Sequence, residues 1–235
     1  MINLRFKLAA LMMCLASGLY GQENSRTIGF GLEVQPKIVS QVFENSSLAE
    51  SAPSLGGAFT GTVFFDISPT YTLKTGLGIN LMQMDYKDYK MILPCDIHNQ
   101  GIDSLNSWSE VKQTVTYLTI PVSNRIAFSQ NKNRFYLQAG IEALIKIASS
   151  GTFDIMECGI DTGVSSKLVY DYSPLTVTGN LGIGYEWAFS GTGKIYVEPG
   201  IAYSLNSVFR EINEFDNIND NRIFNAGLAV GIRFR

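Results

Sequence analysis

The last twelve residues of the chain alternate strictly between apolar positions and small or polar positions. Apolar side chains occupy every even position from Phe224 to Phe234, and small or polar residues occupy the odd positions up to Arg235. Because successive side chains of a β-strand point to opposite faces, this period of two predicts a strand with one wholly apolar face. Glycines and arginines on the other face are typical of the closing strand of an outer-membrane barrel.

The same alternation predicts seven further strands upstream. They cover residues 27–35, 57–67, 71–82, 114–128, 135–147, 175–189 and 195–205. Most are much longer than the roughly five or six residues that are typical of strands in globular proteins. Tilted by about 40°, strands of this length cross the hydrocarbon layer of a bilayer.

The connections between these segments fall into two classes that alternate along the chain. Residues 68–70, 129–134 and 190–194 are short and rich in turn-forming residues, whereas residues 36–56, 83–113, 148–174 and 206–221 are long. Both chain termini fall on the side of the short turns. The pattern predicts an all-β fold, namely an eight-stranded antiparallel up-and-down transmembrane β-barrel with short periplasmic turns and long extracellular loops.

Alternation alone leaves open which face points inward, because a soluble lipocalin-like barrel has the same period with its apolar face inside. The aromatic residues of the apolar face gather beside the short turns, which favours a membrane barrel whose aromatics lie at the membrane interface. These residues are Phe65, Tyr71, Phe128, Phe135, Trp187, Phe189 and Phe234. The opposite face carries mostly glycine, threonine, asparagine and a balanced set of charges, as expected for a polar lumen.

The N-terminal segment predicts export. Arg5 and Lys7 precede an apolar stretch at residues 8–19, and small residues follow near position 21. This is the pattern of a secretory signal peptide over residues 1–21, which leaves residues 22–235 as one barrel domain in the bacterial outer membrane. A transmembrane helix is one alternative, but it needs roughly twenty apolar residues, and the stretch at residues 8–19 has only twelve. A lipoprotein anchor at Cys14 is the other alternative, but Met13 stands where a small residue is expected.

The charge composition of the chain indicates which classes of partner it can bind. The chain has 18 basic and 21 acidic residues and a net charge of −3, and loss of Arg5 and Lys7 with the signal peptide makes it more acidic. An acidic exported chain without a basic cluster argues against nucleic acid as a partner. The lipid bilayer is the partner that the strand pattern implies.

Charged residues on the predicted inner face are the first candidate for chemistry. They are Glu33, Asp66, Lys74, Arg125, Glu142, Lys146, Glu186, Glu198 and Arg233. One interpretation is a path for protons or ions, or a pair of catalytic carboxylates. The other is a paired network that fills the interior together with Phe64, Tyr117, Tyr136 and Tyr196, since eight strands leave little space and unpaired buried charges are costly. The second interpretation is favoured.

The remaining candidates lie in the predicted loops. His98, the one histidine of the chain, is far from any predicted strand, and no serine–histidine pair, metal-ligand cluster or cofactor motif is present in the sequence. The acidic segment 211–220 lacks the spacing of a calcium-binding loop. Cys95 and Cys158 lie in neighbouring loops of an exported chain, which predicts a disulfide, with two free thiols as the alternative.

Three segments resemble a known family. Residues 117–122 read Tyr-Leu-Thr-Ile-Pro-Val, residues 135–140 read Phe-Tyr-Leu-Gln-Ala-Gly, and residues 182–187 read Gly-Ile-Gly-Tyr-Glu-Trp. Together they resemble the PorT-like outer membrane β-barrel proteins of Bacteroidetes, and the resemblance spans nearly the whole mature chain. It implies a barrel in the outer membrane and, through PorT itself, a link to type IX secretion, with no catalytic residues. The chain departs from the usual pattern by ending on Arg235 instead of the aromatic residue.

These observations predict a non-enzymatic outer-membrane barrel whose surface loops bind a partner or support an outer-membrane or secretion assembly. A small porin is the alternative, and it requires lumen charges that line water instead of pairing. A lipid-modifying enzyme of the outer membrane is less favoured, because its histidine–serine arrangement is missing from the sequence.

Overall fold

The computed structural model describes residues 27–43, 49–88, 108–157, 160–167, 172–208 and 221–235. Within these residues the regular structure is β-strand. None of the described residues form a helix with the length and hydropathy that crossing a membrane requires. Cys95, His98, Cys158 and segment 211–220 lie outside the described residues, so the disulfide stays a prediction.

The described residues form ten strands. They are β1 (Thr27–Phe43), β2 (Ala49–Ala52), β3 (Ser54–Asp66), β4 (Tyr71–Asp88), β5 (Trp108–Ala127), β6 (Arg134–Glu157), β7 (Ile160–Lys167), β8 (Leu175–Ala188), β9 (Gly193–Ser204) and β10 (Asn221–Phe234).

Eight of these strands close into a barrel. Following the order β1, β3, β4, β5, β6, β8, β9 and β10, each strand pairs antiparallel with the next. The first and last strands then pair with each other, with Phe30 opposite Phe234 and Phe43 opposite Asn221. The predicted eight-stranded antiparallel barrel is therefore confirmed. Closure satisfies the backbone hydrogen bonds of every barrel strand without leaving an edge.

Side-chain burial follows the alternation of the sequence. On β10, Leu228 is 42% exposed whereas its neighbour Ala229 is 1% exposed. Phe64 and Tyr196 are fully buried in the lumen, and Phe30 and Leu77 are exposed on the outer wall. The apolar residues thus form the outer wall, and the core of the molecule is the polar and aromatic lumen.

The predicted bounds at the long-loop end were wrong, because several strands continue further. The first strand was predicted to stop before Pro36, but β1 runs on to Phe43. Pro36 is tolerated because it faces outward and interrupts only one ladder: Val34 and Lys37 pair with β10 on either side of it, while Pro36 itself lies opposite Gly57 of β3. The predicted loop 36–56 therefore contains strand at both of its ends.

Three barrel strands extend beyond their neighbours and form a second feature, which we call the outer sheet. It consists of β2, β7 and the ends of β4, β5 and β6 at residues 83–88, 108–113 and 148–157. Residues in register across its five strands are Ala52, Asp85, Lys112, Thr152 and Lys167. The predicted loops 83–113 and 148–174 are thus partly strand, and they continue the barrel wall past its apolar band.

The assignment of the two faces can be tested on β10. Leu228→Arg places a charge on the apolar outer wall near the middle of the strand, where lipid cannot solvate it, and we expect a loss of roughly 2–4 kcal/mol in the free energy of unfolding. Ala229→Ser places a small hydroxyl in the polar lumen and should have a mild effect. Urea unfolding in phospholipid vesicles measures both, and equal losses would mean that the faces are reversed.

Candidate functional site

The lumen at the short-turn end contains a carboxylate held by two arginines. Asp66, at the end of β3, accepts hydrogen bonds from Arg233 of β10, from Arg235 at 3.1 Å and from the hydroxyl of Thr72 at 2.8 Å. Arg233 also stacks on the ring of Phe64, 4.7 Å from its centroid. These contacts tie the last strand to the first hairpin of the barrel.

A second carboxylate at this end has the same arrangement. Glu186 of β8 accepts hydrogen bonds from Arg134 of β6 at 2.8 Å and from Lys194 of β9 at 2.5 Å. Arg134 additionally donates to the backbone carbonyl of Pro69 in the first short turn. Each acid at the short-turn end is therefore neutralised by two bases, and the turns are joined across the opening.

The middle of the lumen is organised around Arg125 of β5, which is 4% exposed. Its Nη2 lies 2.8 Å from Glu198 and 3.9 Å from Glu33, and its Nε donates to Gln138 at 2.7 Å. Lys74 Nζ contacts the same oxygen of Glu33, Oε2, at 2.5 Å. The two acids and two bases thus form one continuous network that joins β1, β4, β5 and β9.

Aromatic rings enclose this network. The hydroxyls of Tyr136 and Tyr196 donate to Glu198 and Glu33, both at 2.8 Å. The Arg125 guanidinium carbon lies 4.6 Å and 4.4 Å from the centroids of these two rings and 5.1 Å from that of Phe64. Stacking on aromatic faces suits the delocalised, weakly hydrated guanidinium, so the rings help to compensate for its desolvation.

Glycines on neighbouring strands make room for the two tyrosine rings. A Cβ atom added to Gly231 would lie 2.3 Å from Cζ of Tyr196, and one added to Gly184 would lie 2.2 Å from Cζ of Tyr136. No side chain fits at either position while the rings stay in place. The glycines of the lumen face are therefore part of the packing of this layer.

Above the network lies a small polar cavity of about 50 Å³. Glu142, one of its lining residues, accepts hydrogen bonds from the hydroxyls of Thr119 and Thr178. Lys37 is buried in the same region, and its charge interacts with the carboxylates of Glu142 and Glu33. A cavity of this size has room for very few water molecules, so it forms no continuous pore.

The long-loop end of the lumen is closed by an apolar layer, which we call the plug. Its residues are Val39, Met82, Met84, Val115, Tyr117, Leu144, Tyr172, Val208 and Ile223. Tyr172 and Val208 lie just before β8 and just after β9, and both side chains are buried in the plug. Ser173 donates its backbone N–H to the carbonyl of Val208 at 2.7 Å, and Lys146 donates to the carbonyl of Tyr172 at 2.9 Å.

The structure brings the sequence-predicted lumen charges together in three groups. Asp66 and Arg233 lie at the short-turn end, as does Glu186. Glu33, Lys74, Arg125 and Glu198 form the central network. Glu142 and Lys146 lie nearer the plug and contact hydroxyl and carbonyl groups.

The predicted interface aromatics lie on the outer wall beside the short turns. Phe65, Phe128, Phe135, Phe189 and Phe234 are exposed, and Tyr71 and Trp187 are half-buried. Phe189 and Phe234 stack edge to face with centroids 6.2 Å apart, and Phe135 packs on Tyr185 at 4.6 Å. Their role as anchors at the membrane interface stays a prediction.

Sequence reasoning missed three charged residues of the lumen. Lys37 was assigned to a loop because the first strand was ended at Pro36, although it continues the alternation of Glu33 and Gln35. Arg134 and Lys194 were assigned to short turns, yet each pairs with Glu186. Their positions two residues from inward-facing Tyr136 and Tyr196 are the sequence signal that identifies them.

The described residues contain no group of three or more histidine, cysteine, aspartate or glutamate side chains that could hold a metal ion. The acids of the lumen are instead held by basic and hydroxyl groups, which is the arrangement of a structural network.

Comparison with protein families identifies the chain. Residues 20–210 match the family described as outer membrane protein beta-barrel domain. The chain belongs to this family. The protein is therefore an outer-membrane barrel, its apolar wall contacts lipid, and its short turns face the periplasm.

Solved structures of barrels are similar to the chain at low sequence identity. Neisserial surface protein A is 12% identical, with 87% of this chain and 96% of that chain covered and a TM-score of 0.44. A major outer membrane protein from Thermus thermophilus is 11% identical (88% and 100% covered, TM-score 0.43). The outer membrane protease OmpT from Escherichia coli is also 11% identical (91% and 99% covered, TM-score 0.42). No curated protein matches the chain.

The central network can be tested by removing its base. Arg125→Ala leaves the buried Glu198 carboxylate without its basic partner, and we expect a loss of roughly 3–5 kcal/mol in the free energy of unfolding. In Arg125→Leu/Glu198→Leu both charges are replaced by apolar groups, so the loss should be smaller. Urea unfolding in phospholipid vesicles measures both proteins, and a double variant that is less stable than Arg125→Ala would contradict the pairing.

The filled lumen also predicts the electrical behaviour of the barrel. Because the charge network, the aromatic rings and the plug fill the lumen of the described barrel, the purified protein in planar bilayers should give little or no steady current. The control is a known porin that is reconstituted in the same bilayers. A reproducible current that disappears when lumen charges are changed, with stability unaltered, would contradict the filled lumen.

Proposed function

We propose that this protein is a non-enzymatic outer-membrane barrel that presents its outer sheet and surface loops to a protein partner in an outer-membrane or secretion assembly. The observation that carries the proposal is the outer sheet, since barrel strands that continue past the membrane provide a rigid platform. The resemblance to PorT-like proteins of Bacteroidetes favours a role in secretion. Removal of residues 1–21 during export is part of the same proposal.

The edge strand of the outer sheet supports binding of an extended segment. β7 pairs with β6 along one side, and no strand in the described part of the chain pairs with its other side. A free edge offers backbone N–H and C=O groups to a strand of another protein, which is a common mode of peptide recognition. The partner segment would thus be added next to β7.

The charge of the outer sheet favours a basic partner. Its strands carry acids at Glu50, Asp85, Asp88, Glu110, Asp154, Glu157 and Asp161, and bases at Lys87, Lys112 and Lys167. Acidic residues thus outnumber basic ones on this platform. Complementary charge speeds the encounter of two proteins and disfavours wrong partners.

The lumen supports this proposal over a small porin. Its central carboxylates, Glu33 and Glu198, are held by Lys74, Arg125 and tyrosine hydroxyls, and the plug lies at the end that faces the outside. A porin requires charges that line water, whereas these charges hold the wall together. The surface that remains for function is therefore the outer one.

Site-specific crosslinking in intact cells tests the proposal. A photoreactive residue in place of Ser165 on β7 should give a discrete adduct with another protein, because this position lies at the free edge of the outer sheet. The matched control carries the same residue in place of Gln130, which is exposed in a short periplasmic turn. The same adduct from both positions, or none from Ser165, would contradict the proposal.

A further inference from the structure

The lipid-facing wall of the barrel contains a groove that the proposed function does not use. It has a volume of about 520 Å³ and crosses the outer faces of β5, β6, β8, β9 and β10. Its floor lies at Ala139 and Gly179, where the outward side chains are smallest. Larger side chains flank this floor: Ile141 lies opposite Gly179, and Leu181 lies opposite Ala139. On β9, Tyr203 lies opposite Gly179, and Leu205 follows it.

The strand register sets the direction of the groove. Ile141, Gly179, Tyr203 and Phe224 lie opposite one another on successive strands, so they form a row perpendicular to the strands. Strands of such barrels tilt by about 35–45° from the membrane normal. A row perpendicular to them therefore runs obliquely through the hydrocarbon layer. Val122 continues this row on β5 five residues before the strand ends at its short turn, whereas Tyr203 lies ten residues after the start of β9, so the β5 end lies nearer the periplasm.

Gly179 is the residue that opens the groove. A Cβ atom added there would meet only carbon atoms of the Leu205 side chain, at 3.6 Å to 4.0 Å. These are ordinary contact distances, so a larger side chain fits at this position and would fill the groove. The space at Gly179 thus differs from that at the lumen glycines, where tyrosine rings occupy it.

The periplasmic end of the groove has a polar group. Asn124 lies three residues before the end of β5 and lines the groove opposite Ala139. Its Oδ1 accepts a hydrogen bond from the hydroxyl of Tyr71 at 2.6 Å. Its Nδ2 donates to no protein group in the described part of the chain, so it can donate to a ligand in the groove.

We propose that this groove binds one acyl chain of a phospholipid from the periplasmic leaflet, with Asn124 Nδ2 donating to an ester carbonyl of that lipid. The groove is continuous with the apolar wall that contacts the bilayer, so hydrocarbon chains are the molecules that reach it. The position of Asn124 identifies the leaflet from which the lipid comes. An ester carbonyl beside Asn124 belongs to a lipid whose headgroup lies at the periplasmic surface. At the opposite end the groove is lined by Leu205, Phe224 and Tyr203, and the Tyr203 hydroxyl is the one hydrogen-bonding group among these three side chains.

Retention of a defined lipid tests this site. The purified protein is incubated with phosphatidylglycerol in mild detergent, and bound lipid is counted by native mass spectrometry. We expect one retained phosphatidylglycerol in the unchanged protein. In Gly179→Leu the added side chain occupies the groove, and retention should fall at least tenfold. In Asn124→Leu the carbonyl contact is lost, and retention should fall several-fold.

Gly61→Leu is the matched control. Gly61 also faces outward, on β3, and the nearest atom to an added Cβ is a backbone oxygen at 3.7 Å, so this leucine fits on the wall away from the groove. It should retain lipid like the unchanged protein. Resistance of each barrel to unfolding in cold dodecyl sulfate shows that the variants are folded, and it separates loss of the site from loss of the fold.

Three results would overturn the proposal. Equal retention in Gly179→Leu and Gly61→Leu would mean that the groove does not hold the lipid. Retention of lipid A, but not of phosphatidylglycerol, would place the ligand in the outer leaflet. A second copy of the chain bound in place of lipid, and lost in Gly179→Leu, would make the groove an interface between barrels.

Discussion

The buried Arg125 guanidinium is the group on which the interior of the barrel depends. An eight-stranded barrel encloses a space just wide enough for side chains, so a charge inside it has to be satisfied by other side chains. Arg125 of β5 contacts Glu198 of β9 at 2.8 Å and approaches Glu33 of β1 at 3.9 Å. Neither strand pairs with β5, so these contacts join parts of the wall that share no backbone hydrogen bonds.

The strands and their faces could be predicted from the sequence because both depend on a local property. A period of two fixes which side chains share a face, and no knowledge of distant residues is needed. Glu33, Arg125 and Glu198 were assigned to the lumen on this basis, and all three are buried there. The positions of seven aromatic residues beside the short turns also follow from the local sequence, and they favoured a membrane barrel over a soluble one.

The partners of the lumen residues could not be predicted, because they depend on register and on the path of the loops. Glu142 accepts hydrogen bonds from the hydroxyls of Thr119 and Thr178, and Lys146 donates to the backbone carbonyl of Tyr172. The alternation of the strands assigns a face to each residue but does not identify these partners. The plug includes Tyr172, which lies outside the barrel strands. The alternation of apolar and polar residues cannot predict that Tyr172 is buried, because a residue outside a strand has no assigned face.

Glycines have different roles on the two faces of the barrel wall. In the lumen, Gly184 and Gly231 are required by the tyrosine rings that satisfy Glu198 and Glu33, so the absence of a side chain there is used to complete the interior. On the outer wall the nearest atoms to a Cβ added at Gly179 belong to the Leu205 side chain, at 3.6 Å or more, so no aromatic ring of the described residues fills this space. Because the interior is filled by its own side chains, specific binding is left to the surfaces that face lipid and the cell exterior.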